Sequence, residues 1–213
     1  MNLQLALDRL TEAQCLEIVS ETEPYIDWIE IGTGVIKEYG MSIVSKMREA
    51  YPHKIIVADM KTCDAGRHEA VQAFKAGADI TTVMAFSADK TIVDTLEVAK
   101  HYNKRVMIDL LGITQPKRMI ELRDLGVDLV SLHFGKDMQT QGEFQTDSFS
   151  LVKDLPQFEV AVAGGINLIT LPAILEKKPN TIIVGGSITN ADNRNEMARY
   201  LKGMIREYEI HHK

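Results

Sequence analysis

The chain has 213 residues, of which 45% are hydrophobic and 25% are charged, as is typical of a globular protein. Its formal net charge of −6 argues against the basic surface that binds nucleic acid. No apolar run approaches the roughly 20 residues of a membrane span, and the N-terminus lacks the features of a signal peptide. The two cysteines, Cys15 and Cys63, have no disulfide or zinc spacing. These features predict a cytoplasmic protein without nucleic-acid or membrane partners.

Short apolar runs rich in Val and Ile recur along the chain, and amphipathic segments of helical period separate them. Such runs are candidates for buried parallel strands, and in chain order they cover residues 3–7, 27–31, 54–59, 78–84, 105–111, 127–134, 159–165 and 181–186. A strand followed by a helix, repeated eight times, predicts a closed (β/α)8 barrel that forms one domain over residues 1–213. An open doubly wound sheet is the alternative that this pattern leaves.

Glycine and proline mark the ends of several predicted helices. Gly77 follows an amphipathic segment where a C-cap glycine belongs. A second segment begins near Pro116 and stops at Gly126, in keeping with proline at a helix start and glycine after its end.

Charged residues and paired glycines stand at the carboxyl ends of the predicted strands, where a (β/α)8 barrel places its active site. In chain order they are Asp8 after strand 1, Glu30 in strand 2, Asp59 at the end of strand 3 with Lys61 and Asp64 following, Asp109 after strand 5, His133 in strand 6, Gly164 and Gly165 after strand 7, and Gly185 and Gly186 after strand 8. One isolated Asp at a strand end usually caps a turn or a helix. The whole set indicates a functional site.

The acidic residues of strands 2 and 3 fit a metal site. Asp59 and Lys61 have the same parity on one strand, so we expect both side chains to point into the barrel mouth. Glu30 lies within an apolar run, and burying it unpaired would cost several kcal/mol, so it should meet a cation or a proton donor. Together Glu30 and Asp59 can offer oxygen ligands to Mg²⁺, or to Mn²⁺, and such a metal can stabilise an enediolate.

The other strand ends have their own chemistry. Lys61 and Asp8 can set the charge around an anionic intermediate, and His133 can move protons near neutral pH. A hydrogen-bonded core histidine is the alternative for His133. The glycine pairs after strands 7 and 8 are typical of a phosphate site, because glycine lets backbone N–H groups approach an anion. Two tight strand-to-helix turns are the structural alternative.

Several motifs carry a resemblance to a known family. The segment VADMKTCDAG contains the pattern DxKxxD, formed by Asp59, Lys61 and Asp64, and it resembles the orotidine-5′-monophosphate decarboxylase superfamily of (β/α)8 barrels. Within this superfamily, IDWIEIGTG, SLHFGKDMQ, AVAGGI and VGGSIT resemble the 3-hexulose-6-phosphate synthase family. The resemblance extends from residue 3 to about residue 190.

The resemblance implies a Mg²⁺-dependent aldol condensation of ribulose 5-phosphate with formaldehyde, which gives D-arabino-3-hexulose 6-phosphate through an enediolate. The roles that it implies are metal binding by Glu30 and Asp59, contacts to the substrate hydroxyls and the enediolate by Lys61 and Asp8, proton transfer at C1 by His133, lining of the site by Thr33 and Asp109, and phosphate binding by Gly164, Gly165, Gly185 and Gly186. It also implies a homodimer in which Asp64 acts in the partner subunit's site.

Three other functions compete with this interpretation. The 3-keto-L-gulonate-6-phosphate decarboxylases resemble the chain less, because their arginines after strands 6 and 8 are replaced here by Lys136 and Gly186. A non-catalytic sugar-phosphate-binding barrel would be expected to lose the charges at its strand ends. A ribulose-phosphate 3-epimerase would need histidines at several strand ends, and only His133 stands at one.

Overall fold

The computed structural model describes residues 1–137 and 146–212. Eight parallel strands pair in chain order, and the last pairs with the first, so the sheet closes into a barrel. The strands are β1 Asn2–Leu7, β2 Trp28–Ile31, β3 Ile55–Thr62, β4 Ile80–Met84, β5 Arg105–Asp109, β6 Leu129–His133, β7 Glu159–Ala163 and β8 Thr181–Val184. This topology confirms the (β/α)8 barrel over the open sheet, and the assignment of residues 1–213 to one domain stays a prediction.

The helices surround this barrel. They are α1 Glu12–Thr22, α2 Thr33–Tyr39, α3 Ser42–Ala50, α4 Gly66–Lys75, α5 Asp89–Tyr102, α6 Pro116–Asp124, α7 Leu171–Leu175, α8 Gly186–Thr189 and α9 Arg194–His211, with the 3-10 helices η1 Glu23–Tyr25 and η2 Thr146–Leu151. The described residues depart from the regular alternation expected from the sequence, since between β6 and β7 they contain only the 3-10 helix η2. Two helices, α2 and α3, connect β2 to β3, and two, α8 and α9, follow β8. Within the described residues, no helix is both long and apolar enough to cross a membrane.

Local signals in the sequence account for several helix ends. The Thr11 side chain accepts from the backbone N–H of Gln14, whose side chain accepts from the Thr11 backbone, so a capping box begins α1. Pro116 lies in the first turn of α6. Gly77 and Gly126 have φ angles of +102° and +88° just after α4 and α6, and this confirms both predicted helix stops.

One layer of side chains inside the barrel is apolar. The side chains that form it come from seven strands and are separate from the larger core between barrel and helices: Trp28, Val57, Ile80, Met107, Leu129, Ala161 and Ile183. Residues two positions apart on a strand point to the same side. The polar residues two positions further along, such as Glu30, Asp59, Thr82 and Asp109, therefore form the next layer, at the carboxyl end of the barrel.

Strand β3 is irregular at the position where it enters this layer. Ala58 pairs with Thr81 and Thr62 pairs with Val83, so β3 uses two more residues than β4 over this stretch. Lys61 lies inside the bulge with a left-handed φ of +48°. The side chains of Asp59 and Lys61 do meet in one network, as the parity argument predicted. The assumption of a regular strand behind that argument is wrong, because β3 is bulged at Lys61.

Candidate active site

Asp59 lies at the centre of a polar network and is only 6% exposed. Its Oδ1 accepts a hydrogen bond from the Thr82 hydroxyl at 2.8 Å, and its Oδ2 accepts one from the Thr33 hydroxyl at 2.8 Å. The Lys61 ammonium lies 2.9 Å from the same Oδ2. Donors from three different segments thus hold both oxygens of this carboxylate, and its orientation in the barrel mouth is defined.

Lys61 connects two acidic residues. Its Nζ lies 2.9 Å from Asp59 and 2.8 Å from Asp109, which are on β3 and β5. Burial alone would lower the pKa of Lys61, but the negative charges of Asp59 and Asp109 raise it above its usual value. Lys61 is therefore a permanent cation in the site, suited to stabilise a developing oxyanion and unsuited to act as a base.

Asp109 orients His133. The carboxylate is 3% exposed, and its Oδ2 lies 2.8 Å from the Nδ1 of His133. Its Oδ1 accepts the backbone N–H of Leu111 at 2.8 Å. Burial alone would raise the pKa of Asp109, but His133 and Lys61 together lower it to about 2.

His133 is correspondingly prepared to carry a proton. Burial opposes its charged form, but the hydrogen bond and charge of Asp109 raise the pKa of His133 above its usual value. Asp109 holds Nδ1, and no residue in the described ranges hydrogen-bonds the other ring nitrogen, Nε2. A ring that is fixed through one nitrogen and open at the other can exchange a proton with a ligand.

Glu30 lies beside Asp59 on the adjacent strand. It pairs in register with Val57, two residues before Asp59, so both carboxylates point to the same side of the sheet. The side-chain amide of Gln4 donates to Glu30 through Nε2. Burial and the charge of Asp59 raise the pKa of Glu30 well above its usual range. Among residues 1–137 and 146–212, no three acidic, His or Cys side chains converge as a metal cage. Two neighbouring carboxylates, one of them poorly compensated, nevertheless fit a hard cation that keeps water or ligand oxygens in its other positions.

Asp8 lies at the rim of the barrel and is exposed. Its Oδ1 accepts the backbone N–H of Gly34 at 3.0 Å, in the first turn of α2, and Arg9 lies 3.2 Å from its Oδ2. A Cβ added to Gly34 would stand 2.6 Å from Oδ1, so this approach requires glycine. Asp8 therefore caps α2, and the described contacts do not join it to the network of Lys61. Its contact with substrate stays a prediction.

Asp64 lies in the loop between β3 and α4 and is exposed. No described residue hydrogen-bonds or pairs with its carboxylate. The fold of a single chain therefore does not join Asp64 to the network around Asp59. Its action in a partner's site remains a prediction.

The glycines after β7 and β8 form one corner of the mouth. Gly164 and Gly165 have φ angles of +111° and +67°, and a Cβ on Gly164 would stand 2.1 Å from the carbonyl oxygen of Phe134. The Ser187 hydroxyl, in α8, donates to the carbonyl of Ile166 at 2.6 Å and connects α8 to the loop after β7. The two segments that follow β7 and β8 are therefore in direct contact.

Gly185 and Gly186 begin α8. Gly185 has a φ of −108° and a ψ of −99°, and a Cβ added to it would stand 3.4 Å from the carbonyl oxygen of Ala6. A Cβ on Gly186 would meet only the Asn190 side chain, at 3.3 Å. A side chain at Gly186 would therefore meet far less resistance than one at Gly164. The carbonyl of Gly185 accepts the N–H groups of Ile188 and Thr189, as in a helix start, where the first amides have no intrahelical partner.

A family model described as "Orotidine 5'-phosphate decarboxylase / HUMPS family" matches residues 1–201 of the chain. The chain belongs to this family. It is 39% identical over 207 residues to the 3-hexulose-6-phosphate synthase of Bacillus subtilis (strain 168), covering 96% of this chain and 99% of that protein. The match confirms the resemblance inferred from the sequence motifs.

Solved structures of proteins with two different activities have folds similar to this barrel. The 3-hexulose-6-phosphate synthase of Salmonella typhimurium has a TM-score of 0.95 and 32% identity, covering 98% of this chain and 100% of that one. The 3-keto-L-gulonate-6-phosphate decarboxylase of Vibrio cholerae has a TM-score of 0.87 and 29% identity, covering 97% and 98%. The fold is thus shared across both activities, and the site must distinguish them.

Three polar residues of this family member were not found by sequence reasoning: Gln4, Thr82 and Ser187. Each is uncharged and stands in or next to an apolar run, where it resembles an ordinary strand or turn residue. One signal in the sequence could have indicated that Gln4 and Thr82 point into the barrel. Gln4 lies two positions before Ala6 and Thr82 lies two positions after Ile80, and both Ala6 and Ile80 face the barrel interior. Only the pairing of neighbouring strands shows that Gln4 meets Glu30 and that Thr82 meets Asp59.

Proposed function

We propose that the chain is a 3-hexulose-6-phosphate synthase, which condenses ribulose 5-phosphate with formaldehyde to give D-arabino-3-hexulose 6-phosphate. The observation that carries this proposal is the position of the Lys61 cation between Asp59 and Asp109, with the carboxylate of Glu30 beside them. That arrangement suits an enediolate, which needs positive charge at its oxygens and a proton acceptor at carbon. Full-length similarity to proteins with the synthase name supports the choice of substrate.

The proposed metal is Mg²⁺, or Mn²⁺ in its place. Glu30 and Asp59 would hold it, and water and substrate oxygens would take the remaining positions. When bound, the metal supplies positive charge that neutralises the enediolate oxygens. It would also compensate the charge that burial and Asp59 now make unfavourable on Glu30.

His133 is the proposed group for proton transfer at C1. Its Nε2 would remove the C1 proton of ribulose 5-phosphate, and the electron pair would move into the enediolate. C1 then attacks the formaldehyde carbon, a new carbon–carbon bond forms, and the resulting alkoxide takes up a proton. Asp109 holds the ring through Nδ1 and stabilises its protonated form, while Lys61 stays charged throughout.

The remaining residues would bind the substrate. Thr33 holds Asp59 and lines the mouth, and Asp8 would contact substrate hydroxyls from the rim. The phosphate would lie at the corner of the two glycine loops, against the backbone N–H groups that Gly164 and Gly165 on one side and the start of α8 on the other leave available. Asp64 would complete the site of the partner subunit in a homodimer.

The test is an assay of the purified protein with ribulose 5-phosphate, formaldehyde and Mg²⁺, with and without EDTA. We expect formaldehyde to be consumed only when the metal is present, in step with hexulose phosphate formation. The same protein is assayed in parallel for CO₂ release from 3-keto-L-gulonate 6-phosphate. Decarboxylation without any consumption of formaldehyde would overturn the proposal, and inactivity toward both substrates would leave a sugar-phosphate-binding barrel.

A further inference from the structure

Thr82 lies on β4, is 4% exposed, and belongs to the same polar layer as Asp59 and Asp109. Its hydroxyl makes two contacts with β3, the neighbouring strand. The oxygen accepts the backbone N–H of Lys61 at 2.8 Å, and it lies 2.8 Å from Oδ1 of Asp59. One hydroxyl thus joins the backbone of one site residue to the carboxylate of another.

The direction of both hydrogen bonds follows from the groups involved. A backbone N–H can only donate, so the Thr82 oxygen must accept from Lys61. An ionised carboxylate can only accept, so the single hydroxyl proton must point at Asp59. Rotation of the Thr82 side chain would therefore break at least one of its two hydrogen bonds.

The backbone of Lys61 needs such an attachment. Its φ of +48° is unfavourable for a residue with a side chain, and the bulge removes it from the regular pairing of β3 with β4. The hydrogen bond to Thr82 replaces a pairing that a regular strand would have made. Among the residues that the structure describes, no other group hydrogen-bonds the backbone N–H of Lys61.

We propose that Thr82 is a positioning residue, whose hydroxyl fixes the β3 bulge and aims the Asp59 carboxylate for metal binding. The inference rests on the proposed function, because it takes Asp59 as a metal ligand and Lys61 as the cation of the site. Groups that orient the ligands of a metal typically change its affinity or the enzyme's activity by about 10- to 100-fold when they are removed.

The neighbouring residue supplies a matched control. Thr81 is on the same strand and is 1% exposed, but it points away from the barrel interior. Its hydroxyl oxygen has no hydrogen-bond partner among the residues that the structure describes. Replacing either threonine by valine exchanges a hydroxyl for a methyl group at nearly constant volume, so the two variants differ in which contacts are lost.

The experiment measures Mn²⁺ binding to the full-length protein by electron paramagnetic resonance, without substrate. For Thr82→Val we expect about a tenfold or greater loss of Mn²⁺ affinity, as for other groups that support metal ligands. Thr82→Ser keeps the hydroxyl and should restore affinity to within about threefold of wild type, and Thr81→Val should match wild type. Urea unfolding of each variant verifies that it is folded.

Formaldehyde consumption at saturating Mg²⁺ then gives a second measurement. Thr82→Val also removes the hydrogen bond to the backbone N–H of Lys61. We therefore expect its kcat to stay reduced at least tenfold even when Mg²⁺ saturates the metal site. Equal Mn²⁺ affinity and kcat in Thr82→Val and Thr81→Val would overturn the proposal. A wild-type protein that binds Mn²⁺ but consumes no formaldehyde would overturn the proposed function alone, since the comparison of metal affinities would still decide the role of Thr82.

Discussion

The charge of Asp109 is expected to stabilise the folded protein as well as to orient His133. The pKa of this carboxyl is lowered from 3.8 to about 2, chiefly because the contacts with His133 and Lys61 outweigh its burial. Each pKa unit corresponds to about 1.4 kcal/mol, so the ionised carboxylate contributes on the order of 2 to 3 kcal/mol to the free energy of unfolding near pH 7. We therefore expect Asp109→Asn to lower that free energy by about 2 kcal/mol.

The pH dependence distinguishes this charge effect from a packing effect. The pKa of Asp109 is lower in the folded than in the unfolded state, so the folded state binds fewer protons. The stabilisation is complete above the unfolded value near 4 and is lost as the pH falls toward 2. The difference between wild type and Asp109→Asn should therefore be largest at neutral pH and should shrink below about pH 4.

The assay is urea unfolding of both proteins in EDTA at a series of pH values, with Asp192→Asn as the control. Asp192 is exposed and has no ion pair with any residue that the structure describes, so its variant should match wild type throughout. In the aldol assay, Asp109→Asn should lose about 100-fold or more in kcat, as expected when a proton-transferring histidine loses its orienting partner. A stability difference below about 0.5 kcal/mol at pH 7, or one that is constant down to pH 3, would refute the reasoning.

Three further predictions use other parts of the barrel. In urea unfolding without metal, Glu30→Gln should be more stable than wild type at pH 8 but not at pH 5, because a raised carboxyl pKa destabilises the folded state as the pH rises. The same variant should bind Mn²⁺ at least tenfold more weakly than wild type. Gly164→Ala should lower the free energy of unfolding by about 2 kcal/mol or more, since its Cβ would clash with a carbonyl oxygen at positive φ. Gly203→Ala in α9 has open space around it and should raise that free energy by about 0.5 to 1 kcal/mol. Equal thermal stability of the two variants would contradict this prediction. Coexpressed Asp64→Asn and Lys61→Met chains should regain about a quarter of wild-type activity, because half of the dimers would be mixed and each would hold one intact shared site; activity no higher than that of either parent would exclude action across the interface.

The sequence alone was sufficient for the strand order and for the residues at the strand ends. Each of the eight apolar runs overlaps one strand, and one hydrogen-bonded network contains Asp59, Lys61, Asp109 and His133. These predictions succeeded because they depend on local patterns and on one rule of the fold. Apolar runs mark buried strands, and parallel strands in a barrel bring their carboxyl ends together.

Tertiary structure decided what each of these residues contacts. The sequence could not show that Asp8 caps α2, that β3 is bulged with a left-handed Lys61, or that Thr82 joins Lys61 to Asp59. The hydrogen bond from Thr82 to Asp59 joins residues 23 positions apart in the chain, and no local feature of a threonine in an apolar run predicts such a contact. The register between neighbouring strands fixes such contacts, and register results from packing the whole barrel rather than from any short segment.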